Sequence, residues 1–62
     1  MTFDKIQHLR KKAEKNINRA MREAKADNQS GAAALFKRAG ITLLTLAQGI
    51  EEENHGNKTQ TH

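Results

Sequence analysis

FDKIQHLRKKAEKNINRAMREAKA, residues 3–26, is the stretch that decides the fold. It contains no glycine or proline and is rich in lysine, arginine, glutamate and alanine, which favour helices. When successive residues are placed about 100° apart, as in an α-helix, its apolar residues gather on one side. They are Ile6, Leu9, Ala13, Ile17, Ala20, Met21 and Ala24. The pattern predicts an amphipathic helix over residues 3–26, with Thr2 or Asp4 as its N-terminal cap.

The opposite side of this helix is strongly basic. Residues 5–25 contain eight lysines and arginines but only two glutamates, so ion pairs along the helix cannot neutralise it. Because residues three or four positions apart are neighbours on a helix, the basic side chains form a row. The members of this basic row are Lys11, Lys12, Lys15, Arg19 and Arg22. Such a row can contact successive phosphates; the plainer interpretation is a solvated surface that keeps the protein in solution.

The segment DNQSG, residues 27–31, interrupts the helical pattern. Asparagine tolerates the left-handed backbone conformation that ends helices, and the Ser30 hydroxyl can accept the free amide hydrogens of a following helix. A break this short places the two flanking helices side by side and antiparallel. We therefore expect an all-α fold in which residues 1–53 form a two-helix antiparallel hairpin.

Residues 31–53 are predicted to form the second helix. Its apolar residues recur at alternating intervals of four and three, the spacing of a packed helix pair. They are Ala32, Phe36, Ala39, Leu43, Leu46 and Ile50. Gly40 lies inside this helix, where glycine costs about 1 kcal/mol relative to alanine. Either Gly40 allows close approach of the helices within a continuous helix, or the helix breaks at residues 40–42 and Thr42 caps a third helix.

The apolar arc of the second helix is too broad for the alanine-rich stripe of the first helix to cover. A second copy of the hairpin would cover it, so we expect a homodimer that forms a four-helix bundle. The expected interface residues are Leu35, Phe36, Ile41, Leu43, Leu44 and Leu46. Residues 54–62 are polar and aperiodic, and they are predicted to form a disordered tail.

Composition argues against several classes of function. The chain has no cysteine and its three histidines lie far apart, so we expect no disulfide, metal site or cofactor. We find no combination of residues typical of a catalytic site, and we expect neither enzyme activity nor a small-molecule substrate. The first residues lack an apolar run, and no segment reaches the roughly 20 apolar residues of a membrane span. These features predict a cytoplasmic protein without a membrane span.

Charge indicates the kind of partner. The net charge is +4 and the isoelectric point is about 9.9, which favours nucleic acid or an acidic protein surface. With only two aromatic residues, Phe3 and Phe36, recognition by base stacking is disfavoured. The leading hypothesis is a small regulatory protein that binds structured RNA or duplex DNA through the basic row. The alternative is an adaptor or inhibitor that docks on a partner protein through the apolar face of the second helix.

Overall fold

Two α-helices joined by a short turn form a hairpin. The computed structural model describes the backbone of residues 1–59 and the side-chain surroundings of residues 1–53. Helix α1 spans Phe3–Lys25 and helix α2 spans Gln29–Thr59, and no strand occurs within residues 1–59. The molecule measures 52 × 21 × 10 Å, and its smallest dimension is about one helix diameter. The all-α prediction is confirmed, and the two helices form a single layer.

The start of α1 follows the sequence prediction. Thr2 has an extended backbone, and its hydroxyl accepts the Lys5 N–H at 3.2 Å. Asp4 lies in the first turn, and Arg22 and Lys25 lie in the last turn. These charges complement the helix dipole at both ends, which contributes a few tenths of a kcal/mol each at exposed positions.

The end of α1 is a Schellman motif, in which two backbone amides turn back onto the last carbonyls. The Asn28 N–H donates to the Glu23 carbonyl oxygen at 2.8 Å, and the Asp27 N–H donates to the Ala24 carbonyl oxygen at 3.0 Å. Asp27 has a φ of 66°, the left-handed conformation usually taken by glycine at this position. The residue in this conformation is therefore Asp27, whereas the sequence suggested an asparagine.

Asn28, rather than Ser30, caps α2. The Asn28 Oδ1 accepts the Gly31 N–H at 3.1 Å, and its Nδ2 donates to Glu23 Oε1 at 2.7 Å. Ser30 lies inside α2, which begins at Gln29, and its hydroxyl donates to Asn28 Oδ1 at 3.4 Å. The prediction of a Ser30 cap was wrong because an asparagine amide can accept from α2 and donate to α1, which a hydroxyl at residue 30 cannot reach.

Helix α2 is continuous through Gly40. The Thr42 hydroxyl donates to the Arg38 carbonyl oxygen at 3.1 Å, so it bonds within α2 and caps no third helix. A Cβ atom added at Gly40 would meet nothing within 4 Å, so this glycine is not where the two helices approach closely. Of the two alternatives, the structure therefore has the continuous helix and not the break at 40–42, although Gly40 is not a point of close approach within the hairpin.

The C-terminal part of α2 extends past its predicted end. The helical backbone continues to Thr59, six residues beyond the predicted boundary at 53, and the chain contains no proline that would stop it. The predicted disordered tail covered residues 54–62, of which residues 60–62 lie outside the described residues. Near this end, the Met1 side chain lies against Gly49, and the Met1 amine pairs with the Glu53 carboxylate.

The fully buried part of the seam between the helices consists of small residues. The four buried residues among those described are all alanine, with 0% to 4% of their surface exposed: Ala13, Ala20, Ala32 and Ala39. Half-buried residues of α2 extend the seam, among them Leu35, Thr42, Leu46 and Gly49. No large side chain is fully buried in this part of the chain. Close approach of the helices over alanine therefore leaves a thin core.

The predicted seam of α2 was correct at Ala32, Ala39 and Leu46 but wrong at three larger residues. Phe36, Leu43 and Ile50 remain 41% to 42% exposed. In each case the preceding residue on the helix lies closer to α1: Leu35, Thr42 and Gly49 are half-buried where Phe36, Leu43 and Ile50 are exposed. The large residues consequently lie beside the seam.

We expect Asp27→Gly to stabilise the hairpin and Asp27→Ala to destabilise it. Glycine adopts a positive φ without steric cost, and it also removes a negative charge from the C-terminal end of α1, so we expect a gain of roughly 0.5–1 kcal/mol. Alanine removes the same charge but retains the steric conflict of the Cβ. Thermal unfolding followed by circular dichroism at fixed protein concentration measures both changes. Equal effects of the two substitutions would contradict this account of the turn.

Asn28→Ala is expected to lower the free energy of unfolding by about 1 kcal/mol, because it removes an N-terminal cap. The matched control is Ser30→Ala, which should change stability by less than about 0.5 kcal/mol because Ser30 makes only a long hydrogen bond at the surface. Urea unfolding curves give both values. A larger loss of stability for Ser30→Ala than for Asn28→Ala would contradict this assignment and indicate that Ser30 caps α2, as the sequence suggested.

Candidate nucleic-acid interface

The single helical layer has two broad faces that differ in chemistry. On α2, Arg38 and Thr42 lie to one side of the buried Ala39, and Phe36 and Leu43 lie to the other. On α1, Arg19 and Met21 flank the buried Ala20 in the same way. One face of the hairpin is therefore cationic and polar, and the other carries the large apolar side chains together with the Arg10–Glu14 ion pair of α1.

A shallow hollow of about 500 Å³ lies on the cationic face, and we call it the cationic depression. Both helices line it, α1 with Lys12, Lys15, Asn16 and Arg19, and α2 with Arg38, Ile41 and Thr42. Asn16 and Thr42 are half-buried beside the seam, whereas the charged side chains are exposed around them. The floor of the depression is therefore polar and its rim is basic.

The depression contains four cationic side chains and no carboxylate. In the part of the chain whose side chains are described, the ion pairs are Arg10 with Glu14 and the Met1 amine with Glu53. Neither pair includes a residue of the depression. Its positive charge is therefore not neutralised within the hairpin, which makes the surface attractive to anions.

The structure divides the predicted basic row. It gathers Lys12, Lys15 and Arg19 into the cationic depression. Lys11 lies on the outer edge of α1, away from α2, by its position on the helix. Arg22 lines a separate hollow of about 590 Å³ together with Met21, Ala24 and Lys25. The five side chains thus follow one edge of the molecule, but only three of them share a concave surface.

Arg38 is the functional candidate that the sequence analysis missed. Asn16 and Arg38 are equally distant from Asp27 in the sequence, one before it and one after it. A hairpin that turns at Asp27 therefore places Asn16 of α1 beside Arg38 of α2. Pairing the residues across the turn in this way would have revealed a basic residue of α2 next to the basic row. The periodicity of either helix taken alone does not contain this pairing.

The six predicted interface residues do not form one surface. Leu35 and Leu46 are half-buried along the seam, while Phe36 and Leu43 lie exposed beside it. The most exposed of the six are Ile41, at 64%, and Leu44, at 62%. Ile41 lines the cationic depression, so it belongs to the other face.

The structure instead defines an apolar face on the side of the hairpin opposite the depression. Its large exposed side chains are Phe3 and Met21 of α1 and Phe36, Leu43 and Ile50 of α2. Gly40 and Ala47 of α2 fall on the same side by the helical step. Phe36 and Leu43 are the two predicted interface residues that lie on this apolar face.

The described residues offer no other kind of site among those considered below. Within the described residues, no group of three or more histidine, cysteine, aspartate or glutamate side chains could hold a metal ion. Neither helix, over its described length, has an apolar stretch long enough to cross a membrane. Comparisons with protein-family models, curated proteins and solved structures give no match to this chain. The geometry and charge of the two faces are therefore the basis for a functional proposal.

Proposed function

We propose that this chain is a small, non-catalytic regulatory protein of the cytoplasm that binds nucleic acid through the basic face of α1. The observation that carries the proposal is the set of cations on α1 that have no carboxylate partner within the hairpin. Neutralising phosphates with such side chains releases counterions, which provides affinity without any base contact. The ligand is structured RNA or duplex DNA.

The dimensions of the row suit a double helix. With a rise of about 1.5 Å per residue, Lys11 and Arg22 lie about 16 Å apart along α1. This length exceeds the width of either groove of B-form DNA, about 6 Å for the minor and 12 Å for the major, so one row can contact both strands. The exposed aromatic residues, Phe3 and Phe36, lie away from the cationic depression. Contacts to the backbone of a duplex fit this surface better than stacking on single-strand bases.

We expect binding to a duplex to weaken by at least about 100-fold between 50 and 200 mM salt, as for a protein that neutralises four or five phosphates. Lys15→Glu/Arg19→Glu should nearly abolish binding. As a matched comparison of single substitutions, Arg19→Glu should weaken binding far more than Lys37→Glu, which changes the net charge equally at an exposed lysine of α2 outside the row. Fluorescence anisotropy with labelled RNA and DNA duplexes measures all of these. An affinity that does not depend on salt would contradict the proposal.

We further propose that two copies of the hairpin associate through the apolar face and form a four-helix bundle. The support is the contrast between a core of four alanines and the large apolar side chains left outside it. A chain of this size gains little stability from a small core, and a second copy supplies the missing burial. Gly40 is open on the apolar face, so it offers room for the close approach of a partner helix.

Phe36→Glu/Leu43→Glu should convert the dimer to a monomer, because it places two charges in the proposed interface. Gln48→Glu is the control, since it introduces the same kind of charge at an exposed position of α2 away from the apolar face. Sedimentation equilibrium over a range of concentrations measures the change, and circular dichroism at the same concentrations records any coupled loss of helix. A wild-type chain that stays monomeric and fully helical would contradict the dimer.

A second candidate function is docking of a partner protein on the outer edge of α2. The observation that favours it is the high exposure of Leu44, a large apolar residue on this edge. Leu44→Asp should release such a partner and leave binding to nucleic acid unchanged, because Leu44 lies outside the cationic depression. Pull-down from a nuclease-treated lysate with wild-type and Leu44→Asp protein measures this. Equal recovery of the partner with both proteins would rule this function out.

A further inference from the structure

We propose that the cationic depression is a phosphate-backbone site built by both helices, in which Arg38 of α2 binds nucleic acid together with Lys12, Lys15 and Arg19 of α1. This inference rests on the proposed function and deepens it. The proposed function needs only the basic face of α1. The depression adds a contribution from α2 that exists only when the hairpin is closed.

The spacing of the four cations selects a ligand with several phosphates. Lys12 and Arg19 are seven residues apart on α1, which corresponds to about 10 Å along the helix. Arg38 lies across the seam, at the distance of two packed helices, whose axes are about 8–10 Å apart. A single phosphate group is too small to contact all four of these side chains at once. Phosphates on the two sides of a narrow groove are within their combined reach, whether it is the minor groove of B-form DNA, about 6 Å wide, or the deep, narrow major groove of an A-form RNA duplex.

The remaining residues of the depression suit a sugar-phosphate backbone. Asn16 is half-buried on the floor, and its amide can donate a hydrogen bond to a phosphate oxygen. Ile41 is exposed on the rim, where its side chain can lie against a sugar. Thr42 donates its hydroxyl to the Arg38 backbone carbonyl oxygen, so its side chain lies folded against α2 on the floor of the depression.

Arginine at this position has a chemical advantage over lysine. Its planar guanidinium presents parallel N–H groups that bind a phosphate at two points, whereas an ammonium group acts as a point charge. Lys37 is the adjacent residue in the chain, but it lies on the outer edge of α2 and does not line the depression. The two neighbours therefore carry equal charge at different positions, which provides a matched pair for a test.

The test compares Arg38→Gln with Lys37→Gln in the full-length chain. The probe is an RNA duplex of about 20 base pairs, longer than the roughly 16 base pairs that a shape-reading RNA-binding domain covers. Arg38→Gln should weaken binding about tenfold and reduce the slope of log affinity against log salt by about one, as expected for one lost phosphate contact. Lys37→Gln should weaken binding less than threefold and leave the slope nearly unchanged. Circular dichroism of both variants controls for folding.

The outcomes separate this inference from the proposed function. Equal effects of the two substitutions, with binding still abolished by Lys15→Glu/Arg19→Glu, would overturn the two-helix site and leave the proposed function standing. Absence of binding by the wild-type chain to RNA and DNA duplexes would overturn both. Competition by inorganic phosphate at concentrations that leave ionic strength unchanged would also overturn the inference, because it would indicate a site for a single phosphate. Arg38→Lys should recover only part of the lost affinity.

Discussion

The structure depends on a seam of alanines. Ala13 and Ala20 of α1 and Ala32 and Ala39 of α2 are the only buried residues among those described, and their small side chains let the two helices lie close together. Close packing over alanine supplies dispersion contacts, but each alanine removes little apolar surface from water. The seam therefore determines the path of the chain without supplying the core that a stable domain of this length needs.

This constraint explains why the two faces differ so strongly. In a single layer of two helices, residues beside the seam remain at the surface. The residues on one side, such as Phe36 and Leu43, are apolar, and burying them against another surface would be favourable. The residues on the other side, such as Arg19 and Arg38, are charged. If a second copy covers the apolar face, the cationic faces of the two copies point outward. Association and binding of nucleic acid then use separate surfaces.

The sequence was sufficient for the helices but not for their register. Composition and periodicity predicted α1 to within one residue of its observed end, because its pattern has a single apolar stripe. On α2, Leu35 and Phe36 are both apolar and adjacent on the helix, so periodicity could not decide which of them faces α1. The cap at Asn28 depends on a hydrogen bond to Glu23 across the turn, and Arg38 joins the basic surface only through the pairing of the helices. The Asn28 cap and the position of Arg38 both depend on contacts between the helices, which the pattern of a single helix does not reveal.

The central claim is that nucleic acid contacts one face of the hairpin and leaves the other free. Titration of isotopically labelled protein with duplex RNA, followed by amide and side-chain chemical shifts, tests this claim residue by residue. The account predicts shift changes at Asn16, Arg19 and Arg38, with Phe36 and Leu43 unchanged. Changes concentrated at Phe36 and Leu43, or spread evenly over both faces, would contradict it.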